Sequence, residues 1–389
     1  MSAPTLDPAT TDPDRVESHL HSAPSYELDQ HPAPTGREEI WRFTPLKRLG
    51  GLLDDVAATG ELQLEAHLPE GATWREVDAV DAVALAGLPP LDRLGALAAK
   101  HAPKVGVLEV PADTELAEPI RVRAVGTGTE AGVAEHTVIR IGRHARAQLV
   151  VEDAGSAHYN ELVQVVVEDG ASLDLISIYD WADDAVHTAQ VNITVGRDAT
   201  VRNVEITFGG DVVRTSTNVT YAGPGGSFEG LGLYFADAGQ HIEHRLFVDH
   251  NAPKTSSNVI YKGALQGEKA HTVWIGNVLI RKVAEGIETY EENRNLVLSD
   301  GCQADSVPNL EIETGEIEGA GHASATARFD DEQLFYLRAR GISEKEAQRL
   351  VVHGFFDDLI RRVGIESVEE KLRATVEAEL AKNVLKELA

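Results

Sequence analysis

The chain has 389 residues, of which 42% are hydrophobic and 25% are charged, a composition that is typical of folded proteins and excludes wholesale disorder. Its 63 acidic residues outnumber its 35 Lys and Arg residues, which gives a formal net charge of −28. A surface of this sign repels phosphate groups, so the charge argues against nucleic acids and anionic membranes as partners. The sequence shows neither an apolar run of ~18 residues nor a basic segment followed by an apolar one at its start, so we expect a cytoplasmic protein with no membrane span.

The two N-terminal segments differ in composition from the rest of the chain. Residues 1–36 are rich in Pro, Asp, Ser, Thr and His, and their few apolar side chains predict a disordered acidic tail. Residues 37–103 contain Leu-rich and Ala-rich stretches with helical spacing, which predict an N-terminal helical region.

Residues 104–328 consist of short apolar runs that are separated by Gly, Asp, Asn or Pro, as is typical of β-strands. Small residues recur in the intervening turns at Ala145, Ala171, Ala199 and Gly226, with steps of 26, 28 and 27 residues. A propeller blade needs ~40 residues, and a hexapeptide-repeat coil needs fewer than 27. The period therefore predicts a parallel β-helix of about eight coils, each with three short strands and three corners; a β-sandwich with accidental spacing is the alternative.

A second set of residues repeats with a similar period. His158, His187, Arg214 and His241 are spaced by 29, 27 and 27 residues, and each precedes an apolar run. We expect them to begin equivalent strands of successive coils, so that the histidines stack on one face.

Residues 329–389 return to helical spacing and predict a C-terminal helical domain. Ser343 with Glu346 has the pattern of a capping box at a helix start. Helices at this position are expected to cap the end of the β-helix, where strand edges would otherwise be unpaired. Phe355 and Phe356 give these helices more apolar surface than a small cap needs. Two roles are therefore open for this surface: binding a partner, or only covering the end of the β-helix.

Common catalytic signatures are missing from the sequence. It contains no phosphate-binding Gly-x-x-x-x-Gly-Lys-Ser/Thr loop, no Gly-x-Ser-x-Gly and no His-Glu-x-x-His. His241 and His244 lie three apart in a predicted strand and therefore point to opposite faces, which does not suit a shared metal. The single cysteine, Cys302, excludes a disulfide or a four-thiolate site within the chain, and we interpret it as a small, half-buried turn residue.

His322 differs from the other histidines. It lies in the run Gly-Ala-Gly-His-Ala-Ser-Ala-Thr-Ala at residues 319–327, between the last coils and the C-terminal helices. Small neighbours leave its imidazole sterically open, so it is a candidate metal ligand or proton acceptor. From composition alone, a structural role stays open as well.

Several segments of the chain have motifs of a known protein family. They are residues 41–49, Tyr-Lys-Gly at 261–263, Trp-Ile-Gly-Asn at 274–277, Asn-Leu-Val-Leu-Ser at 295–299, Pro-Asn-Leu-Glu-Ile at 308–312, Gly-His-Ala-Ser-Ala-Thr at 321–326 and Asp-Glu-Gln-Leu-Phe-Tyr-Leu-Arg-Ala-Arg-Gly-Ile at 331–342. These segments resemble the SufB/SufD family of iron–sulfur cluster assembly scaffold proteins, and residues 41–49 match the family's N-terminal segment. The resemblance implies a right-handed parallel β-helix flanked by helices.

Within that family the chain is more similar to SufD than to SufB. SufB has Glu-His-Glu where this chain has Gly321-His322-Ala323, and it has a cysteine where this chain has a position near Asn293. Ala320 replaces a cysteine that is common in SufD, so a mechanism through that thiol is not supported.

The resemblance implies a non-enzymatic scaffold subunit that pairs with a SufB-like chain and binds SufC, an ABC-type ATPase. In such a complex His322 would face the SufB cysteine and share a transient iron–sulfur cluster with it. SufC would dock on the C-terminal helices near Phe355 and Phe356. Binding of FAD by the assembled complex, and a homodimer in the absence of SufB, are left open.

A parallel β-helix also suits a second class of protein, the polysaccharide lyases and hydrolases. An enzyme of this class that acts on a polyuronate would need a cationic groove, and a net charge of −28 opposes binding of a polyanion. The assembly scaffold is therefore the preferred interpretation, and the carbohydrate enzyme is the alternative.

Overall fold

The computed structural model describes residues 23–329 and 331–382, and within them the chain forms sixteen β-strands and five α-helices. Short 3₁₀ turns lie at Leu28–Gln30, Glu39–Trp41 and Leu46–Arg48. The strands are β1 (Gln63–His67), β2 (Thr73–Val77), β3 (Val105–Val110), β4 (Ile120–Ile141), β5 (Arg146–Val167), β6 (Ser172–Trp181), β7 (Val186–Val195), β8 (Thr200–Phe208), β9 (Val212–Tyr221), β10 (Ser227–Ala236), β11 (His241–His250), β12 (Ser256–Leu265), β13 (His271–Ile280), β14 (Glu288–Val297), β15 (Gln303–Ile312) and β16 (Gly319–Arg328). The helices are α1 (Ala79–Val83), α2 (Arg93–His101), α3 (Asp331–Ala339), α4 (Glu344–Arg361) and α5 (Glu366–Lys382).

The strands from β3 onward form a parallel β-solenoid of about eight turns, which confirms the predicted β-helix flanked by helices. Face A consists of residues 120–128 and 146–155, then β6, β8, β10, β12, β14 and β16. Face B consists of β3, residues 132–141 and 158–167, then β7, β9, β11, β13 and β15. The strands β4 and β5 run along both faces and link them into one sheet.

Each later coil has two long strands, so the predicted coil of three short strands is wrong. The register between β10 and β12, for example, continues without a break over ten residue pairs. The hydrogen-bond ladder between two strands continues through a bend as long as the residue pairs stay in register. The third predicted corner of each coil is therefore part of a continuous strand.

The small-residue repeat is confirmed as one row of the solenoid. The backbone N–H of Ser172 donates to Ala145, that of Thr200 to Ala171, and that of Ser227 to Ala199, each over 2.9 Å. The three alanine side chains are buried inside the corner.

The second repeat is confirmed in part: its members lie near the starts of equivalent strands of face B, but they do not form one stack. His158 and His241 share a row through Val186 and Val212, whereas His187 pairs with Tyr159 and Val213 in the next row. A shift of one residue moves a side chain to the other face of a strand, so a sequence step near 27 does not by itself define a stack of histidines.

The outer surface of face A is apolar and is covered by the C-terminal helices. Ile176, Ile206 and Leu233 on the strands form a cluster with Phe356 of α4 and Leu372 of α5. The helices therefore lie along the side of the solenoid instead of capping its end, which corrects the predicted cap. Ser343 caps the start of α4, since its Oγ accepts the N–H of Glu346 at 3.2 Å, while the Glu346 carboxylate bonds to Arg349.

The N-terminal segment also packs along the solenoid. Residues 1–22 of the predicted tail lie outside the described residues, but Tyr26 donates its hydroxyl to Gln164 at 3.0 Å. In the segment predicted as helical, α2 packs on face B, where Asn160 donates to the carbonyl of Leu94 at 2.9 Å. The same segment also contains β1 and β2, which pair antiparallel with β4 and β3. Within the described residues, no helix is long and apolar enough to cross a membrane.

Truncating the buried ring between α4 and face A will destabilise the protein. We expect Phe356→Ala to lower the free energy of unfolding by about 3–5 kcal/mol, because a fully buried phenylalanine leaves a cavity. Urea unfolding followed by circular dichroism measures the loss. Phe335→Ala is the control, because that ring is 73% exposed and its removal should cost less than about 0.5 kcal/mol. Equal losses in the two variants would contradict this packing.

Candidate functional site at the open end of the solenoid

The C-terminal end of the solenoid is formed by two strands that each pair along one edge. In the described part of the chain, β15 pairs with β13 and β16 pairs with β14, and neither pairs with a further strand. Each therefore presents a row of backbone N–H and C=O groups that another strand can join. We call this surface the open end and define it as β14, β15 and β16.

His322 lies on β16 at the open end and is exposed. Its neighbours Gly321 and Ala323 leave the imidazole uncovered. It pairs in register with Glu291 of β14, and paired residues of parallel strands project from the same side of the sheet. His322 therefore stands directly after Glu291 in the same row.

Glu291 is a buried carboxyl group without hydrogen bonds. Its side chain is 1% exposed, and neither carboxyl oxygen has a partner among the described residues. The space beside it is small: a Cβ added at Gly276 would lie 2.7 Å from Glu291 Oε2 and 2.4 Å from the Trp274 ring. Burial raises the pKa of Glu291 to about 8, so the carboxyl group is largely neutral at pH 7.

Sequence reasoning missed Glu291. Carboxylates are common in this chain, and only the register between β14 and β16 shows that this one lies beside His322. The only signal in the sequence around Glu291 was the pattern of a β-strand. Such a pattern does not identify His322, 31 residues away, as its neighbour.

A polar network fixes the interior next to Glu291. Asn293 donates to the Tyr234 hydroxyl at 2.8 Å, and that hydroxyl donates to Asn295 at 2.7 Å. Ser306 of β15 donates to Asn293 and so links the two faces of the open end. Asn293, which lies near the position where SufB has a cysteine, is thus a buried amide in a network of hydrogen bonds.

Cys302 lies just before β15 in a turn. Its thiol donates to the carbonyl of Gly267 at 3.2 Å and is half-buried. Burial raises the pKa of the thiol and disfavours the thiolate that metal binding requires. The geometry agrees with the interpretation of Cys302 as a structural turn residue.

The two phenylalanines proposed for partner binding have different surroundings. Phe356 is buried against face A, while Phe355 is half-buried with Lys262 Nζ 5.3 Å from its ring centroid. A groove of about 380 Å³ joins Phe355 to Ala323 and Ala325 of the strand that carries His322. The most exposed aromatic side chains of the C-terminal helices are instead Phe335, 73% exposed, and Tyr336, 55% exposed.

The histidine pair that we judged unsuited to a shared metal has separate partners. His241 contacts Glu243 and His271. His244 bonds Thr215 at 2.8 Å and lies 3.4 Å from Glu205, a different carboxylate. The two imidazoles therefore do not converge on one ion.

The fold and its open end define a β-solenoid protein with one side covered by its own helices and one end available to another chain. Residues 124–355 match the family model described as "SUF system FeS cluster assembly, SufBD core domain". The chain belongs to the SufBD family of iron–sulfur cluster assembly proteins. The resemblance seen in the sequence is confirmed at this level.

Several similar proteins are named as iron–sulfur cluster assembly proteins. An iron-sulfur cluster assembly SufBD family protein of Mycobacterium tuberculosis is 48% identical over 387 residues, covering 98% of this chain and 97% of the relative. A SufBD family protein of Mycobacterium leprae is 48% identical over 363 residues, covering 92% and 93%. The SufB protein of Bacillus subtilis is 26% identical over 249 residues, covering 60% and 53%. Family membership favours cluster assembly over the alternative of a polysaccharide lyase or hydrolase, and the closer similarity to SufD stays a prediction.

The buried carboxyl of Glu291 makes stability depend on pH. Its folded-state pKa of about 8 exceeds the ordinary value of 4.5, so the folded state holds an extra proton between these values and stability falls as pH rises through this window. Glu291→Gln mimics the neutral acid. We expect its unfolding temperature to match wild type near pH 5 and to exceed it near pH 8.5, by about 2 °C for each kcal/mol recovered.

Differential scanning fluorimetry across pH 5–9 measures this difference. Glu288→Gln, at the exposed start of the same strand, is the matched control and should show no pH-dependent gain. A constant difference between Glu291→Gln and wild type at all pH values would show that the carboxyl ionises normally.

Proposed function

We propose that this chain is a SufD-like, non-enzymatic scaffold subunit that pairs through its open end with a SufB-like partner and offers His322 to a transient iron–sulfur cluster. The observation that carries the proposal is the exposed imidazole of His322 on β16, a strand with one free edge. The imidazole lies directly after the buried Glu291 in its row. An imidazole in this position is accessible to a second chain but is held by the rigid ladder beneath it.

The ligand count supports a site shared between two chains. Iron–sulfur clusters are held mainly by thiolates, with imidazole as an accepted substitute. This chain has one cysteine, whose thiol bonds to Gly267 and is half-buried. Most ligands must then come from the partner, and a cytoplasmic location would keep those thiols reduced.

The shape of the open end supports pairing between strands. β15 and β16 are each ten residues long, and each has one free edge to which a strand of a second solenoid would add by backbone hydrogen bonds. A partner that extends both faces would bring its own last strands alongside His322. The same geometry would allow a homodimer when the SufB-like chain is absent.

Removing the imidazole tests the proposed ligand. We expect His322→Ala, in the complex co-expressed with its partner and the ATPase, to lose most of the bound iron and acid-labile sulfide while the subunit ratio stays unchanged. Iron and sulfide assays on the purified complex measure the effect. His67→Ala removes an exposed imidazole from β1 and is the control. Wild-type iron and sulfide contents in His322→Ala would exclude His322 as a ligand.

The C-terminal helices support binding of a SufC-like ATPase. Phe356 is occupied by contacts to face A, so the docking surface that we propose consists of the exposed Phe335 and Tyr336 of α3. The half-buried Phe355 of α4 stays a second candidate contact. α3 directly follows β16 in the chain. Movement of a docked ATPase would therefore act on the strand that carries His322.

The exposed aromatic pair provides the test of this surface. We expect the double variant Phe335→Ser, Tyr336→Ser to reduce co-purification of the ATPase severalfold without lowering the unfolding temperature, because neither ring is buried in this chain. Pull-down from cells that express all three subunits measures the effect. Val80→Ser, which removes an 84%-exposed apolar side chain from α1, is the control. Undiminished recovery of the ATPase would place its docking site elsewhere.

A further inference from the structure

The first coils of the solenoid enclose a group of acidic side chains far along the chain from the open end. The iron–sulfur cluster assembly that we propose at the open end does not use them. Glu135 and Glu161 are adjacent in the ladder of face B, and His187 follows on β7. Asp153 reaches the same place from face A. We call these four residues the inner acidic cluster; Tyr159, Tyr179 and Trp181 enclose it.

Three members of this cluster are close enough to share one ion. One ligand atom from each of Asp153, Glu161 and His187 lies within 4.8 Å of the others. Ligand atoms that bind one ion tetrahedrally at ~2.0–2.2 Å lie about 3.3–3.6 Å apart. Ion binding would therefore draw these three atoms together from their present separations of up to 4.8 Å.

Within residues 23–329 and 331–382, the carboxyl groups of the inner acidic cluster pair with His187 but with no Lys or Arg side chain. Asp153 is 2% exposed, and its Oδ2 has no hydrogen-bond partner among the described residues. Burial, with the charge of Glu161, raises the pKa of Asp153, and the same two causes raise the pKa of Glu135 to about 7. Three carboxyl groups with one imidazole cannot all ionise in a dry interior unless a cation joins them.

The imidazole of His187 is oriented toward this space. Trp181 donates its indole N–H to His187 Nδ1 at 3.1 Å, so the neutral ring carries its proton on Nε2 and donates it to Glu161 at 3.0 Å. A cation bound at Nε2 replaces that proton. The displaced proton moves to Nδ1, where it faces the indole N–H, so the Trp181 ring has to shift away and becomes a reporter of binding.

We propose that Asp153, Glu161 and His187 bind one divalent transition-metal cation, with Glu135 as a nearby carboxylate bridged through the Tyr159 hydroxyl. The Tyr159 oxygen lies 3.0 Å from a carboxylate oxygen of both Glu135 and Glu161. Two carboxylates and an imidazole suit Zn²⁺, Fe²⁺ or Mn²⁺. This site is distinct from His322 and does not depend on the proposed function.

Zinc titration of the full-length chain tests the site. After removal of metals with a chelator, we expect the wild-type chain to bind one Zn²⁺ by equilibrium dialysis with elemental analysis. Binding should change the tryptophan fluorescence, and that change should disappear in Trp181→Phe. We expect Asp153→Asn and His187→Gln each to weaken Zn²⁺ binding about tenfold or more.

The design separates a metal site from a merely structural cluster. Asp153→Asn mimics the protonated acid and should fold, so a loss of zinc in this variant is not a loss of structure. His67→Ala, which breaks an exposed histidine–carboxylate pair with Glu118, controls for surface binding and should keep the ion. Equal zinc binding by wild type, Asp153→Asn and His187→Gln would overturn the proposal, as would a wild-type chain that binds none.

Discussion

The in-register stacking of coils is the constraint on which the rest of this protein depends. Every strand from β5 to β14 pairs in parallel with a strand of the coil before and the coil after, so a residue's neighbours are fixed by the ladder. Residues 26–31 positions apart thereby come within a strand spacing of ~4.8 Å. The pairs Glu135–Glu161 and Glu291–His322 both arise in this way.

Among the described residues, the buried carboxyl groups with an oxygen that lacks a hydrogen-bond partner lie near the two ends of the solenoid. A buried carboxylate of the middle coils, Glu205, is instead satisfied: it accepts from the Tyr261 hydroxyl at 2.7 Å and contacts His244. Near the first coils and at the last ones, Asp153 and Glu291 are buried without such partners. An unpaired buried carboxyl costs free energy, and each of these two lies where a further binding partner, an ion or a second chain, can offset that cost.

Features that depend on contacts between residues close together in the sequence were predicted more successfully than features that depend on contacts between coils. The turn alanines and the Ser343 cap depend on the backbone within a few residues, and the sequence patterns located both correctly. His322 was identified because its small neighbours are adjacent in sequence, although its role in cluster assembly stays a prediction. The expected stack of the histidine repeat held only for His158 and His241, because corner lengths vary by a residue or two and displace His187 and Arg214 along their strands. Phe356 looked available for a partner only because the apolar outer surface of face A was not recognised.

By itself, the amino-acid sequence determined the family, the coil length and the presence of a single thiol that cannot hold a cluster alone. Only the tertiary structure decided which end of the solenoid stays open, which surface the C-terminal helices cover, and which carboxyl groups lie beside His322 and His187. The reason is physical: local patterns set how each coil turns, but contacts between coils depend on the register of hydrogen bonds between strands, and this register is established only when the coils stack.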